Sequence, residues 1–242
     1  MINTCIVIPF YNEADRFNLD TFNIFYSNYP DYFFCLVNDG STDDTAPMLK
    51  NAGTAERVKV INLIKNSGKA EAIRVGIMQA SEWKDFEYIA YLDADFSAPL
   101  ESISYMIEKS PNASFIIGSR LMILGKNIIR NNFRHYTGRI FATLASSTLN
   151  LPIYDTQCGA KVFKKELVET AFSEPFFTTW LFDLEIIMRL VKKAGWQNFK
   201  ETTVEVPLYE WIEHGGSKVK LSYMFRLPFD LLKIRKKYGK AF

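Results

Sequence analysis

Two carboxylates stand one residue apart in the stretch YIAYLDADFSAP, at Asp93 and Asp95, directly after an apolar run rich in β-forming residues. Carboxylate oxygens are what hard divalent ions take. A magnesium-like ion also keeps waters and shares its remaining positions with substrate phosphates instead of filling a protein cage. The competing account is structural: a strand, an Asx-type turn, then a helix opened by SAPLE, with Ser97 as cap and Pro99 at the first helical position. In isolation the pair has little weight, and its placement decides. Other polar residues with chemistry to offer are Asp39 in NDGSTDDT, whose carboxylate can accept hydrogen bonds from a base or ribose, and Lys69 and Arg74 in NSGKAEAIRVG, at the start and interior of a helix. A helix N-terminus attracts anions. Gly40 suits a tight turn, and Ser41, Thr42 and Asp43 are good helix caps.

These residues need a scaffold that brings separate loops together. Short β-rich runs (4–9, 33–38, 58–63, 88–93 and 114–119) alternate with helical segments (14–28, 44–52, 68–80 and 99–109). Such alternation predicts an α/β fold with a mostly parallel sheet between helices. Ligands then gather at the carboxyl ends of the strands. The loops PFYNE, NDGSTDD, KNSGKAEA and DADFSAP all leave such ends, so they converge on one sheet edge. Neither a P-loop nor a G-x-G-x-x-G fingerprint is present, which counts against nucleotide hydrolysis and dinucleotide binding.

The segments IVIPFYNE, NDGSTDDT, NSGKAEAIRVG, DAD, GSR, DTQCGAKVF and WLFDLEI occur in that order. Together they resemble family 2 glycosyltransferases of the GT-A fold, and within that family the dolichyl-phosphate and polyprenyl-phosphate hexose synthases. The resemblance runs from Thr4 to the GGSKV of residues 215–219. It implies one Rossmann-like domain over 1–242, with a nucleotide-sugar half (1–119), an acceptor-side half (120–217) and a basic amphipathic end (218–242). It implies that Pro9, Tyr11 and Glu13 line the nucleoside pocket, that Asp39 contacts the base, that Lys69 lies beside the nucleotide, and that Asp93 and Asp95 bind magnesium or manganese on the donor diphosphate. It also implies inversion at the anomeric carbon. The chain departs from the family pattern at Asn38, Ala70 and Ala160, where Asp, Gly and an aromatic are common.

Residues 109–154 contain no Asp or Glu but include Lys109, Arg120, Lys126, Arg130, Arg134 and Arg139. A basic solvated face plus a core helix, marked by the helical spacing of Ile140, Phe141, Leu144, Ala145 and Leu149, explains this without function. A carboxylate-free run beside a diphosphate site also suits a phosphate-bearing acceptor, because arginine binds phosphate through a planar fork. In the resembling enzymes the arginines at Arg120, Arg130 and Arg134 sit near the acceptor phosphate. A sugar hydroxyl acceptor needs a general base, whereas a lipid phosphate is already anionic and needs positioning. The only good base candidates after this segment are Asp183 and Glu185 in TTWLFDLEI. Their spacing keeps them off a common helix face, and the favourable dipole of a helix start explains both equally well. Trp180 offers a wall for the sugar or a core side chain.

The expected activity is transfer of a hexose from a nucleotide diphosphate sugar of the UDP-glucose or GDP-mannose type to a polyprenyl or dolichyl phosphate, with Asp183 and Arg120 as catalytic candidates. The alternatives are extension of a cell-surface polysaccharide or other glycan with Asp183 as base, and a non-catalytic nucleotide-sugar-binding protein. A sugar-1-phosphate nucleotidyltransferase lacks its Gly-rich N-terminal loop here. Bulk properties agree: 242 residues, 29 Lys+Arg against 27 Asp+Glu and a net charge of +2 give no global bias toward nucleic acid. Cys5, Cys35 and Cys158 suggest neither a zinc site nor a disulfide framework. No apolar run reaches the span of a membrane helix and no signal peptide is evident, so the expected place is the cytoplasm. Between Lys218 and Lys240, eight Lys/Arg and one Asp are interleaved with aromatic and aliphatic residues, which fits peripheral contact with the inner face of a membrane as well as a docked final helix.

Overall fold

The computed structural model describes residues 3–53, 55–129, 132–214 and 226–242. Along the chain lie β1 (Thr4–Phe10), α1 (Leu19–Asn28), β2 (Tyr32–Asn38), α2 (Thr45–Ala52), β3 (Val58–Asn62), α3 (Lys69–Trp83), β4 (Tyr88–Tyr91), α4 (Glu101–Lys109) and β5 (Phe115–Ser119). After these come β6 (Asn127–Ile129), α5 (Asn132–Leu149), β7 (Lys161–Lys164), α6 (Val168–Phe172), α7 (Phe182–Ala194), α8 (Trp196–Thr202), β8 (Thr203–Pro207), β9 (Glu210–Ile212) and α9 (Leu227–Tyr238). One seven-stranded sheet has the order β3-β2-β1-β4-β7-β5-β8, and β6 pairs with β9 as a separate ribbon. Within the large sheet β7 alone is antiparallel to its neighbours.

Burial follows from the strand period of two. Cys5 and Val7 of β1 face the core shared with α3, α6, α7 and α9, while Ile6, Ile8 and Phe10 face the one shared with α1 and α4. All three cysteines are free and fully buried and pack as small apolar groups. Helix α3 lies tightly on β1 and β2, because a side chain at Gly76 would come within 2.4 Å of Val7 Cγ1 and 2.7 Å of Val37 Cγ2. Among the described residues no helix is long and apolar enough to cross a membrane.

All five expected strands and four expected helices are present, with shifted ends. The first helix starts at Leu19 instead of near Ala14, because residues 11–16 are taken up by cross-loop hydrogen bonds. Helix α4 starts at Glu101 without Ser97 as its cap; the Ser97 N–H goes to Asp95 Oδ1 at 3.0 Å, and the chain enters the helix through a turn from Ser102 N to Pro99 O. Helix α5 splits the expected apolar stripe: Ala145 and Leu149 are buried, whereas Ile140 and Leu144 are 62% and 49% exposed. Residues 140 and 144 lie one helical step around from 141, 145 and 149 and face outward.

The contact at Gly76 yields a direct prediction. Gly76→Val should force α3 off the sheet at a cost of about 3 kcal/mol and lower the thermal midpoint by roughly 6–12 °C. Circular dichroism melting measures it; an unchanged midpoint would mean that α3 is free to shift.

Candidate active site

A cavity of about 660 Å³ opens at the carboxyl edge of the sheet. It is lined from β1 and the loop after it by Pro9, Tyr11, Glu13 and Arg16, from the end of β2 by the next residue, Asp39, from the loop and helix after β3 by Asn66, Gly68 and Lys69, and from the loop after β4 by Asp93 and Asp95, with Thr179 and Trp180 on a further wall. The structure thus gathers all seven residues expected at the donor site, the two expected metal ligands Asp93 and Asp95 among them, in one place.

Side-chain hydrogen bonds knit the loops. Asn12 Oδ1 accepts the Thr42 N–H at 2.8 Å, Ser41 Oγ that of Asn12 at 3.1 Å, Thr45 Oγ1 that of Glu13 at 3.0 Å, and Asp43 Oδ2 that of Ala14 at 3.2 Å. The polar residues expected to cap α2 therefore tie it to the loop after β1; of the three only Asp43 also serves the helix start, its Oδ1 accepting the Thr45 N–H at 3.0 Å. Asp39 is buried, and its two oxygens accept the backbone N–H groups of Ser67 at 2.7 Å and Gly68 at 2.8 Å. Burial pushes its pKa up, and those two hydrogen bonds only partly offset this. Beside it, Gly40 has φ +63°, and a side chain there would meet the Lys65 carbonyl carbon at 2.4 Å. Only glycine lets the two loops approach so closely. Asn38 bridges to its register partner, donating to Asn62 Oδ1 at 3.0 Å, which the carboxylate common at this position cannot do.

Lys69 begins α3, and its Nζ lies 2.6 Å from Asp93 Oδ1. Burial would lower the pKa of this ammonium, but the carboxylates of Asp93, Asp183 and Asp95 outweigh it and the net shift is upward. Asp95 Oδ2 lies 3.4 Å from Arg16 Nη2, and Arg16 also reaches Glu13 at 3.4 Å. The other side of Asp93 is bounded by backbone: a side chain at Gly159 would stand 2.2 Å from Asp93 Oδ2. Sequence reasoning missed both Arg16 and Gly159. Arg16 is the only cation in the polar loop after β1, whereas no local signal links Gly159 to Asp93.

Other candidates lie outside this lining. Arg120 forms a two-pronged pair with Asp155, Nε to Oδ2 at 2.7 Å and Nη2 to Oδ1 at 2.8 Å, and its own N–H also reaches Oδ2 at 3.1 Å. Its guanidinium lies 5.5 Å over the Trp211 ring. Burial would raise the Asp155 carboxyl, but Arg120 dominates and holds it down at about 2. Asp183 is buried; its Oδ1 accepts from Tyr91 Oη and from Lys161 Nζ at 2.6 Å. Glu185 accepts the N–H groups of Thr178 and Phe177 at 2.8 and 3.3 Å, which fixes the loop that carries Thr179 and Trp180. Arg74 turns away to Glu71 and the carbonyls of Phe172 and Ser173. Ala160 is buried in the core beside Gly118, so the departure at this position changes packing and not the cavity lining. Arg130 lies outside the described residues, as does the side chain of Arg134 in α5.

A family model described as glycosyl transferase family 2 matches residues 5–172. A dolichyl-phosphate beta-glucosyltransferase of Trichomonas vaginalis is 29% identical over 249 residues, covering 96% of this chain and 71% of that protein. The corresponding enzyme of Saccharomyces cerevisiae is 27% identical over 258 residues, covering 96% and 74%. Glucosyl-3-phosphoglycerate synthase from Mycobacterium tuberculosis, solved with Mn2+, UDP and glucosyl-3-phosphoglycerate, superposes with a TM-score of 0.67 over 99% of this chain and 81% of that one, at 13% identity. That likeness concerns the fold, which is GT-A.

The Arg120–Asp155 pair has a pH signature. Because the folded-state pKa of Asp155 is depressed to about 2, against roughly 3.9 when unfolded, its stabilisation is complete above about pH 4–5 and lost as pH falls toward 2. Urea unfolding between pH 2.5 and 6 should show the wild type losing on the order of 2 kcal/mol more than Asp155→Asn. Parallel pH profiles would show that the pair contributes nothing.

Proposed function

The chain belongs to glycosyl transferase family 2 and is a glycosyltransferase of the GT-A fold, and from that premise we propose that it moves a hexose from a nucleotide diphosphate sugar to a polyprenyl phosphate with inversion. The observation that carries this is the convergence of Pro9, Tyr11, Glu13, Asp39, Lys69, Asp93 and Asp95 on one cavity of a size that suits a nucleotide. The names of the dolichyl-phosphate relatives support the acceptor class.

Charge counting supports a divalent ion. The lining has four carboxylates, Glu13, Asp39, Asp93 and Asp95, against two cations, Arg16 and Lys69, so a diphosphate needs further positive charge to enter. Asp93 and Asp95 would hold that ion. Among the described residues no third His, Cys, Asp or Glu joins them as a cluster, which fits an ion that shares its coordination with substrate phosphates. Gly159 keeps the space beside Asp93 clear of side chain. Once bound, magnesium or manganese supplies charge neutralisation for the departing diphosphate.

The chain's own groups do the rest. Asp39, Tyr11 and Glu13 position the nucleoside, and Lys69 and Arg16 screen the diphosphate. An acceptor phosphate oxygen forms a bond to the anomeric carbon as the bond to the β-phosphate oxygen breaks, and the nucleoside diphosphate leaves with the electron pair. No proton is transferred. The engagement of Asp183 by Lys161 and Tyr91 supports an acceptor that needs no base. Arg120, oriented by Asp155, is the phosphate-binding residue we assign on the acceptor side, with Arg130 and Arg134 as its companions.

Peripheral membrane contact belongs to the same proposal. Helix α9 packs on α5 and exposes Phe229 and Leu232 beside Lys233, Lys236 and Lys237, while α5 exposes Tyr136, Ile140 and Leu144 at intervals of four. Apolar side chains mixed with cations fit an anionic lipid surface. The remainder of the basic segment, residues 218–225, lies outside the described residues.

Two experiments test these readings. A thermal-shift screen of UDP- and GDP-sugars with Mg2+ or Mn2+ should show one base class raising the midpoint, by about 2.7 kcal/mol of stability at 100 times Kd, and radiolabel from that donor should enter solvent-extractable polyprenyl phosphate. Asp93→Ala and Asp95→Ala should abolish turnover, while label found only in free or polymeric glycan would overturn the acceptor. Separately, the protein should co-sediment with phosphatidylserine-containing vesicles but not with phosphatidylcholine alone, and Phe229→Ser/Leu232→Ser should weaken this; equal binding to both vesicle types would remove the charge argument.

A further inference from the structure

Lys161 is fully buried in the sheet, an expensive place for an ammonium. Its Nζ is 2.6 Å from Asp183 Oδ1 and 2.7 Å from the Cys158 carbonyl, with the Tyr91 ring centre 5.5 Å away. Tyr91 Oη donates to the same Asp183 oxygen, and Tyr91 and Lys161 face each other across the β4–β7 pair. A buried ion pair of this kind contributes little to net stability compared with an apolar pair of the same volume. What it does fix is geometry, and each of its three attachments leads to the cavity. Tyr91 is two residues before Asp93. The Cys158 carbonyl precedes Gly159, whose backbone bounds the Asp93 carboxylate. Asp183 lies in the first turn of α7, just after Thr179 and Trp180 of the cavity wall.

We propose that Lys161, Asp183 and Tyr91 form a buried ionic bolt that fixes the Cys158–Gly159 turn against Asp93, which makes Lys161 a positioning residue of the donor site. The bolt ties the end of β4 to the start of β7, where Tyr91 and Lys161 are register partners, and to the first turn of α7. Without the ammonium, Asp183 is a buried carboxylate with no cation of its own. Lys69 is a cation whose ammonium already feels the Asp183 charge. Removing Lys161 therefore loosens the turn beside Asp93 and sets Asp183 competing with Asp93 for Lys69.

The test separates positioning from stability. Lys161→Met alone should lower the thermal midpoint, since it leaves Asp183 uncompensated. Lys161→Met/Asp183→Leu replaces the pair with apolar groups and should recover most of that loss. Despite the recovered midpoint, calorimetric titration with Mn2+ and the nucleoside diphosphate that the wild type binds should show about 10- to 100-fold weaker binding, and amides 156–160 should exchange with deuterium faster. Wild-type affinity and wild-type exchange in the double variant would overturn the bolt. Should that variant not fold, Tyr91→Phe, which removes one donor and keeps the ion pair, decides: faster exchange at 156–160 supports the bolt and unchanged exchange overturns it. The binding arm rests on the donor-site reading and the exchange arm does not, so a wild type that binds neither UDP nor GDP would sink that reading and leave exchange to judge the bolt.

Discussion

Everything at the carboxyl edge of the sheet depends on how the Asp93 carboxylate is held. It is gripped on one side by the Lys69 ammonium at 2.6 Å and on the other by a stretch of backbone with no room for a side chain. Three cations, each from a different element, pair with three carboxylates of this region: Lys69 at the start of α3 with Asp93, Arg16 from the loop after β1 with Asp95, and Lys161 on β7 with Asp183. Removing any one leaves a carboxylate to find another partner.

The single reversed strand makes this arrangement possible. In a wholly parallel sheet the loop before a strand lies at the opposite edge from the ligand site. Because β7 runs antiparallel between β4 and β5, the residues that precede it, Asp155 to Gly159, arrive at the same edge as the ends of its neighbours. That one inversion places Gly159 against Asp93, Asp155 against Arg120 at the end of β5, and Lys161 opposite Tyr91. The motif DTQCGAKVF therefore contributes turn, anion and buried cation to one region through geometry, although it contributes nothing to the cavity lining.

The donor half was legible in the sequence because each strand there is a continuous apolar run ended by a polar loop, a pattern that fixes both the element and the edge at which it stops. Strands β7 and β8 were not legible. KVFK and TVEVP are short, carry charge, and take their strand character from neighbours distant in sequence. The roles of Ser41 and Thr42, and half of that of Asp43, which does accept the first N–H of α2, were misread for a related reason. Capping is a local inference, whereas these side chains serve a loop about 30 residues away. Asp183 and Glu185 were correctly expected not to share a face, but the sequence gives no sign that both are buried or that Lys161 is the partner of the first.

The two halves of the chain also differ in electrostatic sign, and the difference bears on how two phosphate groups can be brought together. The cavity is net acidic in its lining, so on the proposed reading an anionic diphosphate would enter with compensating charge such as a divalent ion. The segment from Lys109 to Tyr154 contains no carboxylate, and the carboxylates that touch it, Asp155 on Arg120 and Glu205 on the Tyr154 N–H, come from outside it. A transferase that joins a phosphate oxygen to a sugar must keep two anions close without letting one displace the other. On the proposed reading, an acidic pocket that takes its anion together with a metal, set beside a segment without carboxylates of its own, would keep each phosphate on its own side of the reacting carbon.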